Sequence, residues 1–223
     1  MLAARLLLCL AFVIAMLTHV SSTAGALPAT ELHAAAASGD TARVRALLAS
    51  GATIDARDAQ GRTALLVATH HNQVQAAKVL IEAGADVNAK DAIQDSPYLY
   101  AGARGHNEIL RMALAHGADL RSTNRYGGTA LIPAAERGHV ETVRMLIAAG
   151  VDVDHVNRLK WTALLEAIIL GNGGAAHTEI VRLLVQARAN VNLADGEGVS
   201  PLQHARQRGY AQIERILSAA GAR

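Results

Sequence analysis

"DAQGRTALLVATHHNQVQAAKVLIEAGADVNAK", residues 58–90, and "NRYGGTALIPAAERGHVETVRMLIAAGVDVDHV", residues 124–156, are two versions of one 33-residue pattern. The Thr or Ser before each first apolar run falls at Thr30, Thr63, Ser96, Thr129, Thr162 and Ser200, at intervals of 33, 33, 33, 33 and 38. The residue closing each second apolar run falls at Gly51, Gly84, Gly117, Gly150, Arg188 and Gly221, at intervals of 33, 33, 33, 38 and 33. Two independent rulers agree, and both place five extra residues between Thr162 and Arg188. A fixed period of this length marks a stacked-repeat architecture.

Each unit is physically coherent. A Thr or Ser hydroxyl can accept from an orphan N–H and so start a helix. A short apolar helix follows, such as 64–71 or 130–137, then a turn at Arg104–His106 or Arg137–His139, then a second helix such as 140–149. Glycine supplies the left-handed residue that ends that second helix. The connecting stretches, rich in Asp, Asn and Gly with an apolar Val between them, read as turns. One such unit cannot bury its apolar face; several stacked together can. Composition agrees, since 51% of the chain is hydrophobic but only 3% aromatic. A core built of Ala, Leu, Ile and Val favours close-packed helices.

These residues resemble ankyrin repeats. The pattern D-x-x-G-x-T-P-L, Ala-Ala, Gly-His, Val-x-x-Leu-Leu and Gly-Ala-Asp-Val-Asn is recovered almost in order within 58–90 and 124–156. The resemblance covers residues 28–223. It implies an all-α solenoid of helix-turn-helix units with short β-hairpin loops, in six units: 28–57, 58–90, 91–123, 124–156, 157–194 and 195–223. The first lacks its hairpin and the last stops after its second helix, as capping units do. His33, after Leu32 where the family pattern has Thr-Pro-Leu-His, is expected to be a structural hydrogen-bonding residue.

A different reading attaches to residues 167–195. Gly171, Gly173 and Ala176 fit G-x-G-x-x-G/A, and Asp195 stands 24 residues beyond the first glycine, where a dinucleotide fold places its ribose acid. The repeat register opposes this enzyme reading. It makes 163–170 a helix, whereas the fingerprint needs a strand before its glycines. The insert, Asn172–Ala176, reads instead as a lengthened turn, either tolerated slack or a local contact site, whose deletion is expected to leave the fold intact. Arg188 occupies a helix-ending glycine position and marks the same unit as unusual.

No catalytic or metal constellation emerges, and no cofactor is expected. His106, His139 and His177 recur one per unit, and stacked units lie about 8–10 Å apart, too far for a shared ion. They read as turn histidines bonded to local backbone. Asp86, Asp119 and Asp152 repeat with the period, as turn residues do. No serine lies in a nucleophile elbow. A net charge of +2 gives no footprint for nucleic acid.

The N-terminus reads as a targeting segment. Arg5 precedes the 12-residue apolar run Leu6–Leu17, and Ala24-Gly25-Ala26 offers a small-x-small site for cleavage after Ala26. The run is shorter than the roughly 20 residues that span a bilayer. Residues 1–26 are therefore expected to be a signal peptide, and 27–223 an exported, periplasmic or secreted domain without a stable membrane anchor. The one cysteine, Cys9, lies within the signal, so the mature chain would hold no thiol.

The remaining expectation is a monomeric, non-enzymatic protein-binding module. The resemblance implies a concave contact face formed by the hairpin residues Ile93, Arg125, Tyr126, Arg158, Leu159 and Trp161. To these it adds the inner-helix residues His70, His71, Arg104, Glu136 and Arg137. Tyr, Trp and Arg are frequent hot-spot side chains; for Trp161, packing against a neighbouring hairpin is the alternative role. Exported bacterial proteins similar to this one are partner-binding factors for envelope or oxidative-stress enzymes, or else immunity proteins against a toxin or effectors.

Overall fold

The computed structural model describes residues 26–223, so the expected signal segment, except for its last residue Ala26, lies outside the described residues. Among the described residues, twelve helices follow one another in six antiparallel pairs: α1 (Ala26–Ser38) with α2 (Thr41–Ala49), α3 (Ala64–His70) with α4 (Val74–Glu82), and α5 (Pro97–Arg104) with α6 (Asn107–Ala115). Then come α7 (Leu131–Glu136) with α8 (Val140–Ala149), α9 (Ala163–Ile169) with α10 (Ala175–Gln186), and α11 (Pro201–Gln207) with α12 (Ala211–Ala219). Odd helices stack on odd and even on even, so every unit packs against its neighbours in two layers. The core between the layers is aliphatic, with Leu65, Leu80, Leu110, Leu131, Leu146, Leu164 and Ile168 fully buried. No helix among the described residues is long and apolar enough to cross a membrane.

The caps follow the sequence. Thr63, Ser96 and Thr162 accept from the backbone N–H of Leu66, Leu99 and Leu165, each at 3.2 Å. Ser200 adds the reciprocal bond, its own N–H donating to Gln203 Oε1 at 2.8 Å. Thr129 departs from this pattern, because Pro133 has no N–H to give the Thr129 carbonyl. Ile132 donates to that carbonyl instead, at 3.3 Å, and the helix starts one residue late. The buried Thr129 hydroxyl is consequently left without a partner.

The projecting loops hold no strand residues among the described residues. One Asp or Asn closes each tip. Asp58, Asp91, Asn124, Asn157 and Asp195 each accept, through one side-chain oxygen, from the N–H groups two and four residues on, at 2.9–3.1 Å. These side chains do what a strand ladder would otherwise do, and they fix the tips with little flanking pairing.

Gly51, Gly84, Gly117, Gly150 and Gly221 all take the left-handed conformation expected of them, with φ between 82° and 92°, and Arg188 is held there too at 66°. A Cβ in that region costs about 1 kcal/mol. Arg188→Gly is expected to raise stability by about that amount, a rise of roughly 2–4 °C in Tm measurable by circular dichroism. An unchanged or lowered Tm would mean that the arginine side chain compensates its own strain.

The turn residues behave differently from the local role expected of them. At one position per unit, Gln73 Nε2 donates to the Ala37 carbonyl at 3.0 Å, and His106 Nδ1 lies 3.0 Å from the Thr69 carbonyl. His177 Nε2 lies 2.9 Å from the Glu136 carbonyl, and the Tyr210 hydroxyl donates to the Gly171 carbonyl at 2.9 Å. Each reaches back to the end of the preceding inner helix, so these side chains staple units together. His33 bridges forward, its Nε2 lying 2.9 Å from the Arg62 carbonyl. Burial holds the pKa of His106, and of His139 at the same register position, below the ordinary histidine value, which favours the neutral ring in both.

The insert makes local contacts, which fits the second of the two roles expected of it. Helix α10 begins at Ala175 and is 12 residues long, against 9 or 10 for the other outer helices. His177 thereby moves from helix cap into the helix. Asn172 Oδ1 accepts from Gly174 N–H and faces His177 Nδ1, both at 3.0 Å. The Tyr210 ring packs over Gly173, which has φ 67°. Residues 163–169 are helical, so no strand precedes the glycines and the dinucleotide fingerprint does not form.

Candidate functional site

The inner helices and loop tips of units 91–123 to 157–194 enclose a groove of about 400 Å³. Asp91, Asn124 and Asn157 close consecutive tips, which sets their neighbours in line. The tips are also tied to one another: Ala92 N–H donates to the Gln60 carbonyl at 3.1 Å and Arg158 N–H to the Tyr126 carbonyl at 3.0 Å. The result is a fixed surface with little freedom left to lose on binding.

Six residues expected in the contact face do line this groove: Arg104, Arg125, Tyr126, Glu136, Arg137 and Leu159. Tyr126 and Leu159 are each 55% exposed, large apolar side chains held open at adjacent tips. The Arg125 guanidinium lies 4.9 Å from the centre of the Tyr126 ring and 3.9 Å from Asp95 Oδ2. Arg137 Nη1 donates to the Ala103 carbonyl at 2.6 Å, and Arg104 lies 5.4 Å from the Tyr100 ring centre.

The other expected contacts lie elsewhere. Ile93 is exposed at the preceding tip, outside the groove lining. Arg158 is exposed on the rim, donating from Nη1 to the Arg125 carbonyl at 2.7 Å. Trp161 is half-buried and does not line the groove. Its backbone serves the loop, N–H donating to Asn157 Oδ1 at 3.0 Å. His70 stacks on Tyr100 with ring centres 4.1 Å apart, and its buried Nε2 has no partner. Burial, followed by repulsion from Arg62, holds the His70 pKa below the ordinary histidine value. His71 is exposed beside it and also outside the lining.

Sequence reasoning missed the floor of the groove. Glu166 is 5% exposed and Asn157 is buried beside it, with Asn157 Nδ2 donating to Glu166 Oε1 at 2.7 Å. Burial first, then repulsion from Glu136, raises the Glu166 carboxyl to about 7, while Asn157 and Arg137 oppose the rise. Asp95 is raised in the same direction by burial and by Asp91. The period did contain the signal: Val67, Tyr100, Pro133 and Glu166 occupy one register position, and only the last is a carboxylic acid. The described residues contain no group of three or more His, Cys, Asp or Glu placed to hold a metal ion.

The sequence profile described as "Ankyrin repeats (3 copies)" matches residues 1–91 and 98–195. The chain belongs to the ankyrin-repeat family. Its fold is similar to that of an ankyrin repeat domain from Acinetobacter baumannii AYE, at 68% identity and a TM-score of 0.85, covering 86% of this chain and 98% of that one. The ankyrin repeat protein EF0377 is 42% identical with a TM-score of 0.82, covering 85% and 97%. The ankyrin domain of Bcl-3, a member of the IκB family, is 29% identical with a TM-score of 0.77, covering 86% of each. Among curated relatives, the ankyrin repeat protein YahD of Escherichia coli (strain K12) is 46% identical over 57 residues, 26% of this chain and 28% of that protein. Ankyrin domains typically serve as protein–protein interaction modules, a non-enzymatic scaffold role.

Proposed function

We propose that this chain binds one partner protein through the groove between units 91–123 and 157–194, without chemistry of its own. One observation carries the reading: Tyr126 and Leu159 stand exposed on adjacent tips above a groove that Arg104 and Arg137 also line. Fixed aromatic, aliphatic and arginine side chains around a concavity are the composition of a binding hot spot. The N-terminal sequence supports export, with cleavage after Ala26 and action in the periplasm or outside the cell. The partner class favoured there is an envelope or oxidative-stress enzyme.

The test is affinity capture with the chain from residue 27 onward, from the compartment in which it resides, followed by binding measurements on the purified partner. Tyr126→Ala with Leu159→Ala is expected to weaken that complex by about tenfold or more, since hot-spot truncations each cost more than about 1 kcal/mol. Equal affinity for the double variant would place the interface elsewhere. Loss of hydrolytic or redox turnover by the captured partner is not required.

A further inference from the structure

The charges lining the groove are sorted by depth. Arg104, Arg125 and Arg137 are exposed, whereas Asp95 and Glu136 are half-buried and Glu166 is buried. For the ion pair at 3.9 Å, the Arg125 side chain is 46% exposed and that of Asp95 only 19%. An approaching partner therefore meets guanidinium first and carboxylate only beneath it. A guanidinium has five N–H donors and no acceptor. The Arg137 bond to the Ala103 carbonyl uses one of them. The Arg104 and Arg125 guanidinium carbons lie 5.4 and 4.9 Å from the ring centres of Tyr100 and Tyr126, and with five N–H donors each can still serve a further acceptor. Between these cations stand the apolar Tyr126, Leu159 and Leu170, each at least half exposed.

We infer that the groove recognises an acidic protein segment in which Asp or Glu side chains flank a large apolar residue. The carboxylates pair with the edges of Arg104, Arg125 and Arg137, and the apolar side chain packs on Tyr126 and Leu159. Carboxylate is the acceptor that matches a guanidinium edge with two parallel hydrogen bonds. The groove's own carboxylates do not fill this role: Asp95 pairs only with Arg125, Glu166 is committed to Asn157, and Glu136 forms no ion pair with these arginines among the described residues. Glu166, with a carboxyl near pH 7, adds less than a full negative charge to the floor at neutral pH, so it repels an incoming acid less than an ordinary glutamate would. A basic segment would face three exposed cations.

This inference rests on the protein-binding reading above and is separable from it. Random peptides displayed on phage are selected on the whole chain at low and at high salt, and in parallel on the Arg104→Gln/Arg125→Gln/Arg137→Gln variant. Circular dichroism is recorded on this variant first, to establish that it folds. The expected result is a set of peptides rich in Asp and Glu around Leu, Phe or Trp. They should bind the variant about tenfold or more weakly and lose affinity as salt rises. Peptides that are neutral or basic, or that bind the variant equally well, overturn the acidic partner. If such peptides still require Tyr126 and Leu159, the groove remains a protein-binding site and only this inference fails. If no selected peptide depends on Tyr126, Leu159 or the arginines, both fail.

Discussion

Gly171→Ala is expected to destabilise the chain by about 3 kcal/mol or more, lowering Tm by roughly 6–12 °C. The cause is collision and not backbone conformation. A Cβ at Gly171 would run into the Ala167 carbonyl oxygen and stand 2.5 Å from His177 Cδ2. Neither neighbour can withdraw easily. Ala167 is buried within α9, and the His177 ring is held on one side by the Glu136 carbonyl and on the other by Asn172. The Gly171 carbonyl itself receives the Tyr210 hydroxyl, so moving residue 171 also breaks the link to the last unit. Gly209→Ala is the control, because Gly209 has φ 68° but nothing within 4 Å of its added Cβ. That change is expected to cost only the conformational penalty, about 1 kcal/mol. Equal losses in the two variants, read by thermal denaturation, would show that the joint yields and that the insert is the slack its sequence suggested.

Glu166→Gln is expected to stabilise the chain at alkaline pH and to change little in acid. Burial, and after it the repulsion from Glu136, lifts the carboxyl to about 7 from an ordinary value of 4.5. A group raised on folding favours the folded state while protonated. Its contribution is complete below about pH 4.5 and is lost as pH climbs through about 7. The full loss is on the order of 3 kcal/mol. Glutamine keeps the acceptor for Asn157 Nδ2 and nearly the same volume, but it cannot ionise. Wild-type and variant Tm curves should therefore coincide near pH 5 and separate by roughly 5–10 °C by pH 8.5. Parallel curves across that range would mean that Glu166 ionises at an ordinary pH and that the groove floor is wet.

Much of the candidate site was legible in advance because the period assigns each residue a place. Arg104 and Arg137 share one register position, so counting sets them in line, and the family resemblance placed the tip residues Arg125 and Tyr126 on the same face. Trp161 misled because residue type was weighed above position. It ends its loop beside Thr162, where the chain turns inward, so its ring is half covered. Glu166 escaped notice for the opposite reason. A glutamate on a helix reads as a solvated charge, and only the stacked neighbours Glu136 and Asn157 make it a buried one.

The stretch 167–195 divides the two sources of information most sharply. Sequence alone determined the period, the helix pairs, the capping hydroxyls and the left-handed glycines, because each depends on bonds within a few residues of chain. It also located the five extra residues to within one unit. Only the tertiary structure decided what those residues do: Asn172 holds His177, and Tyr210 closes over Gly173 from 37 residues further on. It likewise decided that His106 and His177 staple neighbouring units and that arginine stands above carboxylate in the groove. Apart from Asn172 and His177, such relations join groups some 30 to 41 positions apart, and their energies depend on burial and distance, which exist only once the units are stacked.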